Sequence, residues 1–367
     1  MLLHIGAFVI GFFIVSATVL SAVRTFILPR SAQDAIVWVV FRNMRRVFGL
    51  FLNGSYEQRD GVMALYAPIS LLVLELVWLI LVIIGYMGMF LAVGNHSLNE
   101  AFKISGSSIF TLGFAVVDDF PSAVLVFTEA GIGLILIALL ISYLPTIYSA
   151  FSRRENLVTL LEVRAGSPPT GIEMIERFTR LKRLDRLVDI WVDWEAWFAD
   201  IEETHTSLAA LTFFRSPQPH RSWVVAAGAV LDAAALTHAA VDIPRTLEGQ
   251  TVIRAGYLAL RAIADFFNIP YNPVPLPTDP ISITREEFDD AYDRLAKHDV
   301  PLRADRDQAW RDFSGWRVNY DRLLLAMAAI TMSPKAPWVS DRLPAGGEIS
   351  VPKWLKRHKR LIRGDED

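Results

Sequence analysis

Three apolar stretches in the first 151 residues are each long enough to cross a bilayer, and they rule out a chain that folds in water throughout. A spanning helix needs about 20 mostly apolar residues. Residues 2–28 qualify, as do 62–93, broken only by Glu75, and 122–151, with Glu129 near its start. Charge follows the same division: residues 1–151 carry 7 Lys/Arg and 8 Asp/Glu, and residues 152–367 carry 29 and 31. A charge-poor third followed by a charge-rich remainder reads as a membrane domain joined to a water-soluble one. The first stretch could pass for a signal peptide, but it lacks a basic start. Arg24 and Arg30 stand at its far end, and no small-x-small cleavage site follows. It is expected to be a retained transmembrane helix. A net charge of −3 offers no broad basic surface to nucleic acid, and with no Cys the chain has no disulfide, thiolate metal site or Cys nucleophile.

Basic residues set the expected orientation. The 24–59 connector holds Arg24, Arg30, Arg42, Arg45, Arg46 and Arg59 against Asp34 and Glu57. The 94–119 connector holds Lys103 with Glu100, Asp118 and Asp119, and Arg153 and Arg154 follow the third span. The N-terminus is therefore expected outside a multi-pass plasma-membrane protein, with everything after residue 151 cytosolic. Within the inner connector, 35–51 (AIVWVVFRNMRRVFGLF) alternates apolar and Arg positions at helical spacing. It reads as an amphipathic helix on the membrane surface or as an ordinary connector helix.

The outer connector carries the most unusual stretch, SGSSIFTLGFAV at 105–116. The helix-compatible run before the loop, 98–110, would extend only about 20 Å at 1.5 Å per residue, too short to cross. Non-helical backbone at membrane depth is tolerated where it is buried in protein or lines a watery path. Small residues there can offer carbonyl oxygens to a dehydrated cation.

Over about 60–152 this arrangement resembles the pore module of the potassium-channel superfamily: outer helix, pore helix, filter, inner helix. Thr111-Leu112-Gly113-Phe114 matches the first four positions of the family's Thr-x-Gly-Phe/Tyr-Gly filter, and Ser107 and Ser108 stand where hydroxyl residues often end the pore helix. The resemblance implies that backbone oxygens of these four residues, with the Thr111 hydroxyl, ligate K+ as the permeant ion. Since each chain supplies one loop, it also implies a homotetramer. Two positions depart from the family pattern. Ala115 replaces the second glycine, at an expected cost of about 1 kcal/mol if its φ is positive, and Val116 replaces an aspartate. Asp118 and Asp119 either restore charge at the outer mouth or are plain turn acids. In the inner helix Gly133 is a hinge or a close-packing spot, with Gly131 beside it, and Pro145 should bend the helix as a gate or a static kink. Glu75 is expected to pair with a pore-helix hydroxyl and Glu129 to pack behind the filter.

The expected fold is thus an all-α membrane protein: an N-terminal transmembrane helix (1–30), an amphipathic connector (31–59), a potassium-channel-like pore domain with a re-entrant loop (60–152), and a helical cytosolic domain (153–367). In the last, Trp191, Trp194 and Trp197 fall at helical spacing, as core or interface residues. Segment 223–241 has nearly span length but is interrupted by Asp232 and His238, and is expected to be a buried soluble helix. His205, His220 and His238 show no metal-ligand spacing. Arg215, His220 and Arg221 in FRSPQPHRSW form a capped loop or an anion-binding one. Thr284 and Glu287 form a capping box, and the tail KWLKRHKRLIR either touches anionic lipid or is solvated. No dinucleotide fingerprint, Walker motif, nucleophile elbow or EF-hand loop occurs, and neither an enzyme activity nor a cofactor is expected. The function expected is passive cation conduction, potassium-selective, gated through the cytosolic domain. The alternative is a non-conducting membrane sensor or scaffold on a degenerate pore.

Overall fold

The computed structural model describes residues 2–27, 34–94 and 96–342; Arg30 and the basic tail lie outside the described residues. The described residues form thirteen α-helices and no strand, an isolated bridge pairing Val241 with Leu302. They divide into two compact units: Met1–Asn53 with Val62–Ser149 and Ser207–Leu211, and Gly54–Gly61 with Ala150–Thr206 and the described residues from Thr212 on.

The first unit holds α1 (Leu2–Phe26), α2 (Ala35–Gly49), α4 (Tyr66–Val93), α5 (Leu98–Ile109) and the apolar part of α6 (Phe120–Ala165). α3 (Tyr56–Ala64) precedes α4 across the unit boundary. Small residues let α1 and α4 approach closely. A Cβ added at Gly11 would lie 2.2 Å from the Gly85 carbonyl oxygen, and one at Gly88 would lie 3.1 Å from that of Ala7. In an apolar solvent such close van der Waals fit, rather than exclusion of water, is what holds helices together. Polar groups lock the ends. Trp78 Nε1 donates to Ser21 Oγ (3.0 Å), which donates to Asp34 (2.7 Å), whose carboxylate also caps α2 by accepting from the amides of Ile36 and Val37. On α2, Val40, Arg45 and Phe48 are buried while Trp38, Val39 and Val47 are exposed, so the alternation of apolar and Arg positions does not sort into one buried apolar face.

The second unit contains α7 (Gly171–Arg180), α8 (Leu187–Ser207), α9 (Trp223–Ala240), α10 (Leu247–Phe266), α11 (Arg285–Lys297), α12 (Arg306–Arg317) and α13 (Asp321–Thr331). Thr284 and Glu287 form the expected capping box at α11, with the Thr284 hydroxyl accepting from the Glu287 amide at 3.2 Å. Trp191, Trp194 and Trp197 are core residues, and the Trp197 indole donates to the Arg154 carbonyl.

Among the described residues four helices are long and apolar enough to cross a membrane: His4–Phe26, Tyr56–Val93, Phe120–Ala165 and Trp223–Ala240. Their environments differ. The apolar windows of the first three are 28%, 44% and 17% buried by protein, whereas that of α9 is 100% buried. Asp232 of α9 accepts from Arg317 and Tyr320, and Arg317 also pairs with Asp321 at 2.8 Å. This helix is thus enclosed by its own unit and carries an ion pair inside, where an unpaired charge would be prohibitive.

Candidate functional site

α5 opens on a capping box of its own. The Ser97 hydroxyl accepts from the Glu100 amide (3.3 Å), and the Glu100 carboxylate accepts from the Ser97 amide (2.7 Å), which holds the Glu100 carboxyl below its usual pKa range. It closes through Thr111 in the left-handed region (φ +54°), with the Thr111 amide donating to Ser108 O (2.9 Å) and the Leu112 amide to Ser107 O (2.8 Å). The loop then turns back over the helix end. The buried Ser107 hydroxyl accepts from the amides of both Phe114 (3.0 Å) and Ala115 (3.2 Å).

These four bonds fix more than amides. In a planar trans peptide the carbonyl of residue i−1 points opposite to the N–H of residue i. Amides 111, 112, 114 and 115 are turned onto the end of α5 and Ser107. The carbonyl oxygens of Phe110, Thr111, Gly113 and Phe114 are therefore turned the other way. Gly113 supplies the positive φ (+69°) that this path needs, without a Cβ penalty. Ala115 does not have positive φ, so the strain expected there is absent and the left-handed residue is Thr111 instead. Ala115 and Val117 pack on the unit's core, while Leu112, Phe114 and Val116 are exposed, Val116 at 83%.

The acids around the loop correct one expectation. Ser105 Oγ of α5 donates to Glu129 Oε1 at 2.5 Å, so the acid that meets an α5 hydroxyl is Glu129, not Glu75. Neither Glu75 oxygen has a hydrogen-bond partner, although the residue is buried. Asp119 accepts from the Ser122 amide (2.8 Å) at the start of α6, and this bond holds its carboxyl below the usual range. Its visible task is helix capping, and Asp118 is exposed beside it. Gly133 is a close-packing position: a Cβ there would lie 2.4 Å from the Ile109 carbonyl oxygen, whereas one at Gly131 would meet nothing within 4 Å. α6 continues as a helix through Pro145.

In the second unit Arg215 does not act with His220 and Arg221. Arg215 pairs with Asp60 and donates to Tyr56 Oη (2.8 Å) and to the carbonyls of Thr331 (2.6 Å) and Met332 (2.9 Å). Arg221 and His220 instead meet Glu162, at 2.7 and 3.5 Å. Sequence spacing cannot announce a partner 155 residues away. Among the described residues no group of three or more His, Cys, Asp or Glu is placed to hold a metal ion. Comparison with family models, curated proteins and solved structures finds no match.

Proposed function

We propose that this chain is one subunit of a homotetrameric cation channel with a potassium-channel-like pore. The loop 111–114 would form the filter, the second unit would be the cytosolic domain, and K+ would be the permeant ion. One observation carries the reading: Ser107 and the end of α5 take up the loop amides, leaving the carbonyls of Thr111, Gly113 and Phe114 on the opposite side. Oxygens so oriented, repeated around an axis by four copies, can replace a cation's hydration shell. The short helix behind them, between two long apolar helices, supports the same reading, as does Gly113 at a left-handed φ.

Purified full-length protein in liposomes should pass K+ under an imposed gradient, and Gly113→Val should abolish the flux while leaving the oligomer intact. Absence of flux across voltage and pH, with folded protein in the bilayer, would favour the second reading, a non-conducting sensor or scaffold. The exposed Val116, where the resemblance calls for an aspartate, speaks for that alternative.

A further inference from the structure

A small cleft in the second unit is lined by residues from 212–216, 221–223, Thr331 and Ser333. Its chemistry is one-sided. It sits at the N-terminus of α9, an 18-residue helix whose N-cap, Ser222, makes no side-chain cap bond. The Ser222 hydroxyl bonds instead to Ser333 Oγ (3.0 Å), itself bonded to Thr331 Oγ1 (2.9 Å). Two further hydroxyls, Thr212 Oγ1 and Ser216 Oγ, are buried without any hydrogen-bond partner, on residues 1% and 8% exposed. A buried hydroxyl left unpaired costs about 1–3 kcal/mol, and here two such residues line one cleft beside an uncapped helix start. Arg221 lines it too, with its guanidinium held by Glu162 and Thr159.

We infer that this cleft is a binding site for a phosphate-type oxyanion, free or carried on a larger molecule. The first-turn amides and positive end of α9 favour an anion there. The unpaired Ser216 hydroxyl can donate to its oxygens, the Ser222 hydroxyl can do so by turning from Ser333, and Arg221 supplies charge. Glu162 competes with the anion for Arg221. Arg215 is committed to Asp60, Tyr56 and two carbonyls, so it shapes the wall rather than holding the ligand. The site does not depend on the channel reading, because binding is measured without any ion flux.

The experiment titrates inorganic phosphate into the purified full-length protein and follows thermal unfolding, with sodium chloride at matched ionic strength as control. A saturable rise in Tm with phosphate alone is expected, since a ligand that binds only the folded state stabilises it. Arg221→Gln should weaken the apparent affinity by about tenfold or more, the loss of a charge-assisted contact. Glu162→Gln should strengthen it by freeing the same guanidinium, which no purely structural role of Arg221 would do. Should Arg221→Gln fail to fold, Ser222→Ala with Ser333→Ala provides the weakened-binding variant. Protein in phosphatidylcholine nanodiscs with and without added phosphatidate separates the sources. Competition with phosphate assigns the anion to a lipid headgroup, and lack of competition to a free phosphate, the site standing in both cases. No saturable shift, an equal shift with chloride, or the same shift in all variants would overturn the inference.

Discussion

Ser107 holds two amides with one hydroxyl, and those amides decide which way the carbonyls of Gly113 and Phe114 face. Ser108, its neighbour, donates only to Ile104 O within its own helix. Ser107→Ala should therefore leave two amides unpaired, at a cost of about 1–3 kcal/mol each if they stay buried, and abolish or sharply reduce K+ flux. Ser108→Ala should conduct nearly as the parent does. Equal flux from the two variants in liposomes would remove Ser107 from the argument. The sequence offered Ser107 as a hydroxyl near a helix end, but the loop's return over it depends on φ values at Thr111 and Gly113 that residue types alone do not fix. The misassigned acid has a similar cause: Glu75 and Glu129 are both lone acids in apolar runs, and only packing tells which one reaches Ser105.

A second residue-scale prediction concerns His205. It is buried with its Nε2 at 3.3 Å from Arg154 Nη1. A guanidinium has no acceptor, so Nε2 must carry a lone pair and the ring is neutral with its proton on Nδ1. Burial, and then the Arg154 charge, push the His205 pKa well below its ordinary value. Glu155 balances Arg154 from the other side at 2.9 Å. With the folded pKa depressed, the unfolded chain binds the extra proton first. The His205 contribution is therefore complete above about pH 6.5 and is lost as pH falls below it, by up to about 1.4 kcal/mol per pH unit. His205→Gln keeps an acceptor for Arg154 but cannot titrate. Its Tm should fall less steeply than that of the parent between about pH 7 and 5, carboxylate effects being common to both. Parallel slopes would dismiss the mechanism.

At the scale of elements, the sequence was most legible where a local rule acts alone. Apolar run length marked α1, α4 and α6, and a half-length run marked α5 to within a residue of its end. Thr284 and Glu287 announced α11 because a capping box is complete within four residues. What stayed hidden lies between elements. Gly133 reads as hinge or packing from sequence, and its place against the Ile109 carbonyl becomes visible only once α5 and α6 are side by side. A methyl there forces α6 off the end of the helix that carries the loop. Gly133→Ala should thus destabilise the protein by about 1–3 kcal/mol, as overpacking does. Gly131→Ala, which meets open space, should be neutral or slightly stabilising, since Ala is the better helix former. Thermal unfolding of the pair in detergent checks this; equal effects would deny the close-packing role.

At the scale of the whole molecule, two helices that are both long and apolar enough to cross a membrane have different surroundings. α9 is wholly enclosed by its own unit, whereas the apolar window of α6 is 17% buried. The alanines of α9 and its paired Asp232 hinted at the first, but nothing along α6 says whether lipid or protein covers it. The loop adds a constraint that lipid cannot meet. Carbonyls of Thr111, Gly113 and Phe114, turned opposite to Ser107 and the end of α5, are strong acceptors, and in hydrocarbon each would cost several kcal/mol unsatisfied. On the proposed channel reading an ion and other copies face them, since one loop per chain cannot surround an ion. The apolar side chains beside them, Leu112, Phe114 and Phe120, are exposed on the single chain as well. Copies that cover these side chains while bringing the carbonyls to a common axis satisfy both demands. Native mass spectrometry of protein released from nanodiscs should accordingly give a dominant species of four times 41.1 kDa. Ser107→Ala should leave that mass unchanged, because it alters the loop's orientation and not the helices that would carry the contact. A population of monomers and dimers alone would leave those carbonyls without a shared axis and end the channel reading, whatever the flux assay returned.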